Sequence, residues 1–117
     1  MVEVRPSART RPLLPTRLEC VDAGFRPSHP YVRRYWVAAL GRGAVAELLR
    51  LIRAAADGRP MPLPHWLPIL LKSDLVRVED GVMIVASRIP PVPAGLQRRF
   101  PPGLREEHRR LLERRRP

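Results

Sequence analysis

LVRVEDGVMIVA, residues 75–86, decides the reading of the fold. Two β-rich runs flank Asp80-Gly81, and an Asp-Gly pair in that setting is the strongest short-range signal for a hairpin with a two-residue turn. That turn pairs Glu79 with Val82, Val78 with Met83, Arg77 with Ile84 and Val76 with Val85. Alternation then places Val76, Val78, Met83 and Val85 on one face, expected to meet helices. Arg77, Glu79, Val82 and Ile84 share the other face, which is half apolar and so is expected to be covered.

Upstream of the hairpin the apolar period lengthens to that of a helix. Ser28-His29-Pro30 is a helix-start pattern, and Val32, Trp36, Ala39 and Leu40 recur at helical spacing until Gly41-Arg42-Gly43. A first helix is expected over about 30–41. Ala44 to Asp57 forms the second, with Val45, Leu48, Leu49, Ile52 and Ala56 on one face and Gly58 as its stop. Within it Glu47 is expected to meet Arg50 or Leu51, and Arg53 to meet Asp57. Alternate prolines at 60, 62 and 64 force an extended connection. A short third helix follows over about His65 to Ser73. The expected fold is therefore mainly α with one β-hairpin: a small domain over residues 30–86, flanked by Pro/Arg-rich arms at 1–29 and 87–117.

Three helices followed by a hairpin, with LLKSDLVRVEDGVMIV at 70–85, resembles winged helix-turn-helix domains. The resemblance covers roughly residues 30–86 and rests on the order of elements. It implies a third helix lying in the major groove of DNA and a hairpin wing touching the backbone or minor groove. Carried onto this chain, it places His65, Trp66, Lys72 and Ser73 toward DNA, and Arg77, Asp80 and Gly81 on the wing.

Charge points outward from the fold. The chain has 22 basic residues against 11 acidic ones, and Lys72 is its only lysine. A GC-rich genome explains Arg in place of Lys but leaves the sign of the charge unexplained. A surplus of this size repels itself unless a polyanion screens it. The first arm carries five arginines and three acids, and Pro6, Pro12, Pro15 and Pro27 exclude a long helix from it. The last 31 residues carry nine arginines and three acids, a net of +6. There a terminal basic helix is expected over about Gly103 to Arg116, with Arg109 and Glu113 as a lateral pair.

Sites for covalent chemistry are not apparent in this pattern. His29, His65 and His108 lack the spacing of a ligand pair, and the single Cys20 excludes a multi-cysteine zinc site, so no metal and no cofactor are expected. Glu106-Glu107 and Glu79-Asp80 read as solvated charges. Tyr31, Tyr35 and Trp36 beside Arg33-Arg34 could form a base-stacking platform, but aromatics at helical spacing are more often core. No apolar signal segment opens the chain and no apolar run spans a bilayer, which makes the cytoplasm the expected compartment. The sequence thus reads as a small, basic, non-enzymatic binding protein. Its expected partner is nucleic acid, DNA or RNA, held by Arg33, Arg34, Lys72, Arg77, Arg98, Arg99, Arg109, Arg110, Arg114, Arg115 and Arg116. The alternative is a protein-interaction module whose proline-rich arms and half-apolar hairpin face dock on a larger assembly, such as a ribosome or transcription complex, or on an acidic protein surface.

Overall fold

Asp80 and Gly81 both take positive φ, 52° and 76°, which a two-residue hairpin turn of type I′ requires and which Asp and Gly tolerate best. The computed structural model describes residues 12–115. Its elements run, in chain order, through strands β1 (Leu13–Leu14) and β2 (Thr16–Glu19), helix α1 (a π-helical turn, Val32–Trp36, continued by an α-helix, Val37–Leu40) and helix α2 (Arg42–Ala56). Strand β3 (Met61–Pro62), helix α3 (Leu67–Lys72), strands β4 (Val76–Glu79) and β5 (Val82–Ala86), and helices α4 (Ala94–Gln97) and α5 (Pro102–Arg114) follow. The register of β4 and β5 is the one expected, from Val76 opposite Val85 to Glu79 opposite Val82.

The expected fold class is overturned. Five helices and five strands in two sheets, counted among the described residues, make an α/β arrangement and not a mainly α domain with one hairpin. Strand β2, from the segment expected to be an irregular arm, lies parallel to β5 and makes the hairpin a three-stranded sheet of order β2-β5-β4. A hairpin alone leaves the outer edge of β5 with unpaired N–H and C=O groups, and β2 satisfies them. Met83 N–H donates to the Pro15 carbonyl at 2.9 Å and Ser87 N–H to the Glu19 carbonyl at 2.8 Å, closing the ladder at both ends. Proline is tolerated there because β2 is an edge strand that begins just after Pro15. The second sheet pairs β1 with β3, Leu14 opposite Met61. Residues 1–11 of the expected first arm lie outside the described residues.

Helix α2 covers the inner face of the three-stranded sheet. Leu48, Leu51, Ile52 and Ala55 share one core with Val76, Met83 and Val85. Val78, expected on that face, lies next to the turn and remains 42% exposed. Both flanking segments join the same core: Phe25 from one, Ile89, Val92 and Phe100 from the other. Phe25 and Ile89 exchange two backbone hydrogen bonds of 2.8 Å, and the Trp36 indole N–H donates to the Pro90 carbonyl at 2.7 Å. Tyr31, Tyr35 and Trp36 are all buried, so the aromatics of α1 are core and not a stacking platform. Among the described residues no helix is long and apolar enough to cross a membrane.

The outer face of the sheet is covered by the chain's own charges. Ile84 is 1% exposed, and in register it lies between Arg17 of β2 and Arg77 of β4. The Arg77 side chain reaches across β5 to grip the Glu19 carboxylate with two bonds, 3.0 and 2.9 Å, and its Nε donates to Glu79 at 2.6 Å. The Arg77 guanidinium holds the Glu19 carboxyl below its usual pKa. Ile84 thus lies on the strand that the Arg77–Glu19 bridge spans. Ile84→Ala is expected to cost about 2–5 kcal/mol in a urea titration, as buried Ile-to-Ala changes do. Val78→Ala should stay within about 0.5 kcal/mol; an Ile84 effect equally small would mean that the outer face is solvated.

Candidate functional site

Which cations face outward depends on where the carboxylates go. On α5, Glu106 bonds both Arg109 and Arg110, and Arg109 also bonds Glu113. These are neighbours three and four residues apart on one helix face, where opposite charges pair. Glu107 points the other way. Its two oxygens take the Arg34 guanidinium as a bidentate pair, and one of them also accepts the Tyr35 hydroxyl. The hydrogen bonds from Arg34 and then Tyr35 hold the Glu107 carboxyl down to about 2. The paired glutamates expected to be solvated are therefore ion-paired, and Glu107 ties α5 to α1.

His108 completes that junction. It is fully buried, edge-on to Tyr35 and Phe100, with its Nε2 bonded to the Tyr31 hydroxyl. The same hydroxyl accepts the Val92 N–H at 2.9 Å. Burial pushes the Tyr31 phenol up to about 12. Among the described residues Nδ1 of His108 has no hydrogen-bond partner, and burial lowers the pKa of the ring. A protonated ring would carry an N–H with no acceptor inside an aromatic cluster, so the neutral form is the one that packs.

Among the described residues, two neighbouring places gather cations that no carboxylate holds. The first is a groove of about 540 Å³ between α3 and α4. Lys72, Arg98 and Arg99 line it with a single acid, Asp74, and its apolar lining includes Leu40, Pro68, Ile69 and Leu96. Arg99 is fixed by a 3.1 Å bond from its guanidinium to the Ala39 carbonyl at the end of α1. Ser73 also lines the groove, but its hydroxyl donates to the Ile69 carbonyl at 2.7 Å. With neither histidine nor cysteine in its lining, the groove offers positive charge over an apolar floor.

The second place is α2, which starts at Arg42, two residues after the groove-lining Leu40. Arg42, Arg50 and Arg53 are exposed and fall within about a quarter-turn of one another on that helix at 100° per residue. The pairs expected for Arg50 and Arg53 do not form. Glu47 turns inward to accept the backbone N–H groups of His65, at 2.9 Å, and Trp66, just before α3. Asp57 pairs with Arg59 instead. Trp66 lies against Gly43 so closely that a Cβ added there would fall 2.7 Å from the indole nitrogen. The ring is thereby seated on the first turn of α2, one residue from Arg42, and stays 42% exposed.

The candidates named from the sequence are thus scattered. Lys72, Arg98 and Arg99 converge on the groove. Arg33 shares a shallow surface hollow with Arg34, itself held by Glu107. Arg77, Arg109 and Arg110 are held by carboxylates. Arg115 lies 4.3 Å over the Phe25 ring, Arg114 is exposed at the end of α5, and Arg116 lies outside the described residues. Sequence reasoning missed Arg42, Arg50 and Arg53, and the signal that could have found them is Glu47, a carboxylate within the second helix whose neighbours in sequence are apolar. No family model, curated protein or solved structure matches the chain.

The His108 junction makes stability depend on pH with a defined sign. The ring's pKa in the folded chain lies below the 6.5 usual for histidine. The unfolded chain therefore binds more protons just below that value, and stability falls as pH drops from 7 toward 5. Thermal melts of His108→Gln over the same range should show a flatter dependence than the wild type. Glu107, lowered to about 2, acts in a separate window: its contribution is complete above 4.5 and is lost as pH falls from there through about 2.

Proposed function

We propose that the chain is a non-enzymatic nucleic-acid-binding protein whose contact surface is the α3–α4 groove and the adjoining face of α2. The observation that supports this reading is the convergence of Lys72 with Arg98 and Arg99, distant from it in sequence, on one groove. Arginine suits the role, since its planar fork grips a phosphate with two bonds at once. The terminal arginines named from the sequence become secondary in this reading. Arg109 and Arg110 would have to exchange a carboxylate for each phosphate they met.

A second reading has its own observation. Adjoining the basic groove at Pro68 is an apolar one of about 460 Å³, lined mainly by Pro12, Leu63, Pro64, Leu67 and Leu71. Such a patch suits a protein partner, and a larger assembly could hold the chain there while the basic face meets nucleic acid.

Salt dependence tests the primary reading. Taking away one phosphate contact lowers the slope of log K against log salt by about 0.7–0.9. A Lys72→Ala/Arg98→Ala/Arg99→Ala variant should therefore reduce that slope by about 2 to 3 in an anisotropy titration with labelled oligonucleotide. Arg109→Ala/Arg110→Ala should change it by less than about 1. An unchanged slope in the groove variant, with the terminal variant abolishing binding, would move the site to α5.

A further inference from the structure

The floor of the groove and the exposed indole just before α3 say more than charge does. We propose that the ligand of this face is a single strand of nucleic acid, with unstacked bases lying on Trp66 and on the apolar floor of the groove and phosphates on Lys72, Arg98, Arg99 and Arg42. This rests on the reading of the chain as a nucleic-acid binder and names the form of ligand that binder takes.

A duplex keeps its bases stacked inside and meets a protein mainly with phosphate and sugar. Such a surface would satisfy the groove's cations and leave Pro68, Ile69 and Leu96 uncovered. A single strand can turn a base out of the stack, and proteins that bind single strands combine a basic groove with aromatic faces on which bases lie. Both parts are present here. Trp66 is held by its ring seated on Gly43, by the His65 ring edge-on to it at 5.1 Å and by its backbone N–H bonded to Glu47, yet 42% of it remains exposed. A tryptophan fixed in position and left open to solvent has a low conformational cost of stacking. Arg42 to Arg53 extend the basic surface about 16 Å along α2 at 1.5 Å per residue, a row longer than the groove itself needs. That row favours a polymer with regularly repeated charge over a short acidic peptide.

The two tryptophans make the test direct. Trp36 is fully buried and Trp66 is exposed, so quenching of tryptophan emission by a ligand reports Trp66. The full chain is titrated with a short poly(dT) strand, with duplex DNA of equal length, and with poly-glutamate. The proposal expects the single strand to bind at least about fivefold tighter than the duplex and to quench the emission. Trp66→Ala should weaken single-strand binding by about 5- to 150-fold, the range for loss of one base–aromatic stack, and duplex binding by less than about twofold. Trp66→Phe, which keeps an aromatic face and guards against a folding defect, should retain most of the affinity and lose the quench. Equal affinity for strand and duplex, unaffected by Trp66→Ala, would overturn this inference while leaving the nucleic-acid reading intact. Binding to poly-glutamate alone would overturn both.

Discussion

The arrangement of charge on this protein follows from a shortage of carboxylates. Twenty-two cations face eleven acids, so the fold cannot neutralise its surface and can only choose where neutralisation occurs. Apart from the Asp57–Arg59 pair, it occurs over the outer face of the sheet, where Glu19 and Glu79 take Arg77, and along α5, where three glutamates take Arg34, Arg109 and Arg110. Each exposed pair contributes little to stability, since water and salt screen it. The consequence is geometric: in both places the carboxylates hold guanidinium groups down on the protein. The groove between α3 and α4 has only Asp74 to set against three cations.

The same contacts that hold α5 also hold the groove. Tyr31 accepts the Val92 N–H and bonds His108 with a single hydroxyl, so the segment leading to α4 and the helix following it meet at one atom. Further along α1, Trp36 bonds the Pro90 carbonyl, and Phe100 packs edge-on to His108. Arg98 and Arg99 lie between Val92 and Phe100, so both ends of their segment are buried in the core. The groove wall is anchored at both ends for that reason, although α4 is a helix of four residues with little stability of its own. Packing of the distal chain on α1 is thus what positions the candidate binding residues. Loss of the buried His108 contact would reach them through the backbone of Val92.

Local signals were readable in the sequence, and non-local ones were not. Asp80-Gly81 determined the hairpin register because turn chemistry and alternation act within ten residues. Helix α2 and the Arg109–Glu113 pair were readable for the same reason. Strand β2 escaped because Pro12 and Pro15 argued against helix without arguing for strand, and because its parallel partner lies 67 residues away at the Thr16–Met83 pair. Its alternation of Thr16 and Leu18 with Arg17 and Glu19 was present but too short to stand alone. The half-apolar outer face of the hairpin was read correctly as covered. What covers it, an arginine reaching over to a strand not foreseen, could not be read. Among the candidate residues, Arg98 and Arg99 were named from clustering and Lys72 from the winged-helix resemblance, while their convergence on one groove is a property of the tertiary fold.

Glu47 shows why charge patterns on a helix mislead about function. At three residues from Arg50 it reads as a lateral pair, worth a few tenths of a kcal/mol in water. Two backbone N–H groups before α3 take it instead, since a hydrogen bond to a charged acceptor contributes about 1.5–3 kcal/mol whereas an exposed guanidinium is well solvated. The carboxylate turns inward, the chain entering α3 is pinned to α2, and Trp66 is delivered onto Gly43. Arg50 is left facing solvent by the same event that fixes the indole. One buried carboxylate therefore accounts for both halves of the proposed surface: a cation released on one side of α2 and an aromatic ring seated at its start.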